Sequence, residues 1–361
     1  MRKEQHIIQL DGLRFFAVFM VMIAHWLQWK WTNPILSQVP FVHGVTLFFV
    51  LSGFLITRIL LENRDKYAGT KLKLSLLIRN FYLRRFFRIF PIYYLLIFGL
   101  LLFDYKNTYD IFPWLLTYTS NIYQSINNTY VGDFNHFWSL AVEEQFYLFW
   151  PFVILFVRPK KTLLAIIMTI IIALIIRALF YVYIDNWMAT SYFTLSCMHA
   201  LGIGALLAYI KCYLPKTEKA LSNPIWLYLF VALYISSLII LSYFKIEWLS
   251  AIGDEFFFAI AAALLILRAA TNGFKFGAKY LLENKFVVYS GKISYGLYVY
   301  HLFIPNLFYY CAPKIGLAIT NKYTEFIAFY CLTFLVAHVS WLLIEQPILK
   351  LKSKVPYMKE K

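Results

Sequence analysis

Long apolar runs recur from one end of this 361-residue chain to the other, leaving little of its length to face water. Roughly twenty apolar residues make a helix that crosses about 30 Å of hydrocarbon. Runs of that size fall near residues 8–28, 42–61, 86–104, 138–157, 162–184, 193–212, 225–244, 250–270, 288–310 and 324–346. Hydrocarbon tolerates only backbone whose hydrogen bonds close on themselves. The expectation is therefore an all-α polytopic membrane helix bundle of about ten transmembrane helices. Residues 110–124 fit a full crossing poorly, since Pro113 and the polar stretch Thr117 to Gln124 favour a short interfacial or re-entrant segment.

Composition agrees: 61% of residues are hydrophobic and 14% charged, against about a quarter charged in soluble domains. One integral domain over residues 1–361, with no separate soluble domain, is the economical reading. Met1-Arg2-Lys3-Glu4 runs into the first span without a small-residue cleavage site, so a retained helix is expected there. With both termini cytoplasmic, the outward loops hold only Lys30, Lys106, Lys245, Lys314 and Lys322 of the 34 basic residues. Arg14 and Arg177 lie inside spans, and the large remainder falls at the inner face, as the positive-inside rule requires. The net charge of +16 is thus a topology signal with some attraction to anionic membrane lipids, and not a nucleic-acid surface. Cys197, Cys212, Cys311 and Cys331 have neither metal nor disulfide spacing, so no metal is expected.

Four clusters interrupt the apolar background. In the first span Arg14 and His25 are eleven residues apart, about 16 Å along one helix face, with Asp11 three residues before the arginine. Asp11 and Arg14 could simply neutralise each other, yet ionisable groups at such depth are functional candidates. In the third span Arg84, Arg85 and Arg88, preceded by Lys71, Lys73 and Arg79, serve either as orientation charges or as a phosphate-binding face for a nucleotide-type anion. Trp138 to Tyr147 opens the fourth span with Glu143 and Glu144, which either favour the helix dipole or supply a carboxylate to orient an imidazole. Phe48 to Leu55 carries Ser52 and Gly53, small residues that allow close packing or leave a gap for a slender chain. Its counterpart late in the chain is Ser294 to His301, which includes Tyr295.

In the drawn topology His25, Glu143, Glu144, Arg177 and His301 fall in the outer half, and Arg14, Arg84, Arg85 and Arg88 at the inner side. Such layering suits a donor held by its phosphates on the cytoplasmic face, its reactive end reaching toward the opposite surface.

These clusters, in this order, resemble the acyltransferase-3 family of integral membrane acyltransferases over nearly the whole chain. Leu10 to Arg14 with His25 is similar to the family's signature of Arg, ten residues, His. Gly44 to Ile56, Arg84 to Pro91, Trp138 to Pro151, Ser294 to His301 and Ile344-Glu345-Gln346-Pro347 match further blocks. Two positions depart from it: Thr46 stands where the family usually has Asp, and Met198 to Leu201 where an Asp-containing block is common.

The resemblance implies an O-acyltransferase, most often an acetyltransferase, drawing on cytoplasmic acetyl-CoA as co-substrate and modifying a glycan hydroxyl at the outer face of a bacterial cytoplasmic membrane. On that reading Arg84, Arg85 and Arg88, with Arg14, bind the CoA phosphates, and the pantetheine arm passes Ser52 and Gly53. His25 deprotonates the sugar hydroxyl or carries the acyl group; Glu143, or secondly Glu144, orients it. Arg177, Tyr295 and His301 give acceptor contacts or structural support. Lipopolysaccharide O-antigen, capsule, exopolysaccharide, peptidoglycan and small-molecule acceptors all remain open. Succinyl or longer acyl transfer, or transport of a small anionic solute, are the alternatives.

Overall fold

The structure, a computed structural model, describes residues 7–30, 39–67, 74–106, 108–244, 250–271, 273–316 and 321–352. Met1 to Glu4, Lys71, Lys73 and Lys245, used above for topology, lie outside the described residues. Among the described residues there are helices and no strands, as expected. In chain order they are α1 Ile8–Trp26, α2 Gly44–Tyr67, α3 Leu74–Leu102, α4 Thr108–Leu116, α5 Ser120–Asn127 and α6 Phe137–Phe156. Then come α7 Thr162–Leu179, α8 Trp187–Tyr192, α9 Thr194–Tyr213, α10 Pro215–Leu221, α11 Pro224–Phe244 and α12 Glu255–Thr271. The last are α13 Phe276–Leu282, α14 Lys285–Lys292, α15 Ser294–Tyr300, α16 Ile304–Cys311, α17 Lys322–Ser340 and α18 Gln346–Lys352.

Local chemistry sets several of these starts. Asn186, Asn284 and Asn321 each accept a backbone N–H of the turn they precede, from Ala189, Phe286 and Tyr323 at 2.8, 2.9 and 2.8 Å, so α8, α14 and α17 begin with a satisfied donor. Pro215 and Pro224 occupy first helical positions, where their missing N–H costs nothing.

Seven described helices are long and apolar enough to cross a membrane, or up to nine if each of two bent pairs counts as one span. One such pair, Pro215–Leu221 with Pro224–Ile240, bends by 60°. Hydropathy suggested about ten. The clearest difference is at 288–310, where α14, α15 and α16 replace one continuous crossing. Residues 110–124, expected to be a short segment and not a full crossing, lie in the two short helices α4 and α5, broken at Thr117 to Thr119.

The chain divides into two compact units. The first comprises Met1–Val45, Lys73–Phe112 and Phe276–Lys361, and the second Thr46–Leu72 with Pro113–Lys275. In the first, α1 lies directly against α14: a Cβ on Gly291 would stand 1.9 Å from the Asp11 carbonyl oxygen, so only glycine permits that approach. The second unit packs α9 along α7 and α2 around buried Phe54, Phe146 and Trp150, with the Trp150 indole N–H donating to Thr57 Oγ1 at 2.7 Å.

Candidate active site

Helix α1 carries ionisable groups near both of its ends. At its beginning Arg14 Nη1 donates to Asp11 Oδ1 at 2.6 Å, with Asp11 buried. This is the local neutralisation open to residues three apart on a helix. At its far end His25 is half-buried and meets His301: the Nε2 of His301 and the Nδ1 of His25 are 3.0 Å apart. His301 is fully buried, and its Nδ1 lies 2.6 Å from the carbonyl oxygen of Tyr298, one turn back on α15. The rings of Tyr298 and Trp26 flank it at 5.3 and 6.0 Å. His301 stands in the interruption between α15 and α16 and faces His25 of α1. Glu143, expected from the sequence to orient His25, belongs to the second unit, and within the first unit His25 has His301 as a polar partner.

The arginine cluster lies on α3. Arg84, Arg85 and Arg88 are all half-buried, and the Arg85 guanidinium sits 5.9 Å from the centre of the Phe81 ring on the same helix. Arg88 acts electrostatically on Glu345, a buried carboxyl on the π-helical turn Trp341–Glu345 that links α17 to α18. Tyr295 on α15 donates its hydroxyl to the Ile89 carbonyl at 2.8 Å, tying α15 to α3 one residue beyond Arg88. Tyr295 is thus a strut of the arginine helix. Glu345 has a part that sequence reasoning did not give it, although it lies in a recognised block.

In the second unit Glu143 on α6 accepts the Ser52 hydroxyl of α2 at Oε1, 2.7 Å, and the Tyr147 hydroxyl reaches Oε2 at 3.2 Å and Ser52 Oγ at 3.0 Å. Ser52 is therefore bound to the carboxylate. Tyr147 ends a block singled out in the sequence but has no role assigned there, although its place four residues after Glu143 was a usable signal. Glu144 beside it is half-buried and has partners of its own. The opening left by the missing side chain of Gly53 is not spare room for a ligand: a Cβ there would stand 2.0 Å from the Leu201 carbonyl oxygen of α9. Gly53 is a packing residue.

A second buried polar group of this unit gathers where α2, α7, α9 and α12 meet. Arg177 Nη2 pairs with Glu255 Oε2 at 2.6 Å, and Glu255 Oε1 accepts the Thr46 hydroxyl at 3.0 Å. His199 Nε2 lies 3.9 Å from the same carboxylate oxygen, its Nδ1 being 2.8 Å from the Ser196 carbonyl. Arg177 is thereby occupied as a counter-ion.

A family described as "Acyltransferase domain" matches residues 7–345. The chain is 29% identical over 379 residues to the peptidoglycan O-acetyltransferase OatA of Listeria monocytogenes, covering 96% of this chain and 56% of that protein. It is 31% identical over 379 residues to the O-acetyltransferase OatA of Staphylococcus aureus, covering 97% of this chain and 58% of that protein. The chain spans a little over half the length of these relatives. No solved structure matches. With all but its two ends matched, and most of its blocks carried on helices long and apolar enough to cross a membrane, the chain belongs to the acyltransferase-3 family of integral membrane acyltransferases.

Proposed function

We propose that the protein is an O-acetyltransferase of the bacterial cytoplasmic membrane, moving an acetyl group from cytoplasmic acetyl-CoA to a hydroxyl of a cell-surface polysaccharide or its lipid-linked precursor at the outer face. The observation that carries this reading is His25, an imidazole near the end of a membrane helix, hydrogen-bonded by a second, fully buried imidazole. A neutral imidazole carries a lone pair that can take the proton of an attacking hydroxyl in the transition state. Arg84, Arg85 and Arg88 would bind the CoA phosphates from the opposite side, as guanidinium groups suit phosphate oxygens.

His25 takes the proton of the acceptor hydroxyl as its oxygen attacks the thioester carbonyl, the C–S bond breaks, and the proton passes to the departing thiolate to leave free CoA. In the covalent variant the imidazole nitrogen attacks the thioester carbonyl, the C–S bond breaks and the thiolate takes the imidazolium proton to leave as CoA; the hydroxyl then attacks the acyl-imidazole, the C–N bond breaks and the hydroxyl proton returns to the ring. Peptidoglycan, named in one relative, is the first acceptor to try, with lipopolysaccharide O-antigen and capsule as comparisons.

Purified protein in lipid vesicles, given acetyl-CoA labelled in the acetyl group, should label one of these glycans, and His25→Ala should abolish labelling. Retained transfer in the His25 variant refutes the assignment. Labelling from succinyl-CoA in preference to acetyl-CoA would reassign the acyl group alone.

A further inference from the structure

The two imidazoles form a chain whose far end is a carbonyl, and a carbonyl oxygen only accepts. We infer that His301 is a positioning residue that holds the proton of His25 on Nδ1 and so makes Nε2 the reacting nitrogen.

A neutral imidazole has one N–H and one lone pair, and the partner of one nitrogen decides the state of the other. The Nδ1 of His301 is 2.6 Å from the Tyr298 carbonyl, so that nitrogen carries the proton. The Nε2 of a neutral His301 then holds a lone pair. Facing it at 3.0 Å is Nδ1 of His25, which donates to it, while the backbone carbonyl of Val21, one turn back on α1, is a further hydrogen-bond partner of the same ring. His25 Nε2 is left as the basic atom, directed away from its partner across the ring. The order carbonyl, buried imidazole, half-buried imidazole resembles the way an orienting group fixes the tautomer of a metal-bound or catalytic histidine. His301 itself is fully buried, so its part is orientation and not contact with the acceptor.

The inference rests on the reading of His25 as the reactive group, and the test separates the two. Histidine 15N spectra of the purified wild-type protein, assigned with His25→Asn and His301→Gln, should show a protonated Nδ1 and an unprotonated Nε2 on His25. The reverse tautomer, or a His301 protonated on both nitrogens, overturns the inference.

Kinetics give a second arm. His301→Leu removes the acceptor and should lower kcat at least about tenfold while the KM for acetyl-CoA stays within about twofold. His301→Gln returns an acceptor oxygen at about the reach of Nε2 and should recover at least about a third of kcat. Wild-type kcat in His301→Leu with an inactive His25→Ala overturns the positioning role alone. Wild-type kcat in both overturns the reading of His25 as well.

Discussion

Ser52 and Glu143, on two different helices, share a 2.7 Å hydrogen bond in which the hydroxyl donates to the carboxylate, and Tyr147 closes the triangle from one turn along α6. Two hydroxyl groups thus converge on one carboxylate in an apolar unit, where leaving such groups unmatched costs about 1–3 kcal/mol each. Glu143→Ala should therefore lower the thermal stability of the detergent-solubilised protein as well as its transfer rate. Glu143→Gln keeps one acceptor oxygen and should cost less on both counts. Ser52→Ala, which removes one donor and leaves Tyr147 to Glu143, should be the mildest of the three. A melting-temperature series in the opposite order would show that the triangle does not hold α2 to α6.

Arg177, which is buried, and the largely covered Glu255 make an ion pair in the second unit, with Thr46 as a third member. Removing one partner of a buried pair strands the other and typically costs about 3–5 kcal/mol, more than the pair itself is worth. Arg177→Met and Glu255→Gln should each destabilise strongly. The double substitution should recover most of the loss, and a double-mutant cycle by thermal unfolding measures that coupling. Additive losses would mean the two groups do not depend on each other.

Gly53 and Gly99 both sit in helix interiors, yet a methyl group is expected to have opposite effects at the two. The Cβ of Gly53→Ala would stand 2.0 Å from the Leu201 carbonyl, so α2 and α9 must move apart and folded yield should fall. At Gly99 nothing lies within 4 Å of the added atom, so Gly99→Ala should be neutral or stabilise by up to about 1 kcal/mol through helix propensity. Yield and melting temperature after detergent extraction check both.

What could be read from the sequence was what is local. The span at Ile8–Trp26, the Asp11 to Arg14 pairing and the basic face of α3 follow from spacing within one helix. The break of 288–310 into three helices was less legible, because apolar content continues through it. Pro305 at the start of α16 was the available signal, since proline favours a first helical turn. His25 and His301 are 276 residues apart, as Arg177 and Glu255 are distant, and no spacing rule reaches that far. Gly53 illustrates the opposite difficulty: the residue type was noticed, but whether its open side meets ligand or backbone depends on a helix 148 positions later, at Leu201.

Arg14 is the residue for which structure and proposed function give separable expectations. Its guanidinium neutralises Asp11, a buried carboxylate whose side chain is 3% exposed, so Arg14→Ala should destabilise the protein whether or not it ever meets a phosphate. Asp11→Asn placed on top removes the stranded charge and should restore stability. Binding of acetyl-CoA is the remaining readout. If Arg14 also serves the donor, the stable double variant keeps a raised KM for acetyl-CoA, by about tenfold for one lost charge-assisted contact. Arg84→Ala and Arg85→Ala should raise the same KM with their effect weakening as salt is added. A double variant at Asp11 and Arg14 with wild-type stability and wild-type KM would confine Arg14 to its pairing with Asp11, and leave donor binding to α3 alone.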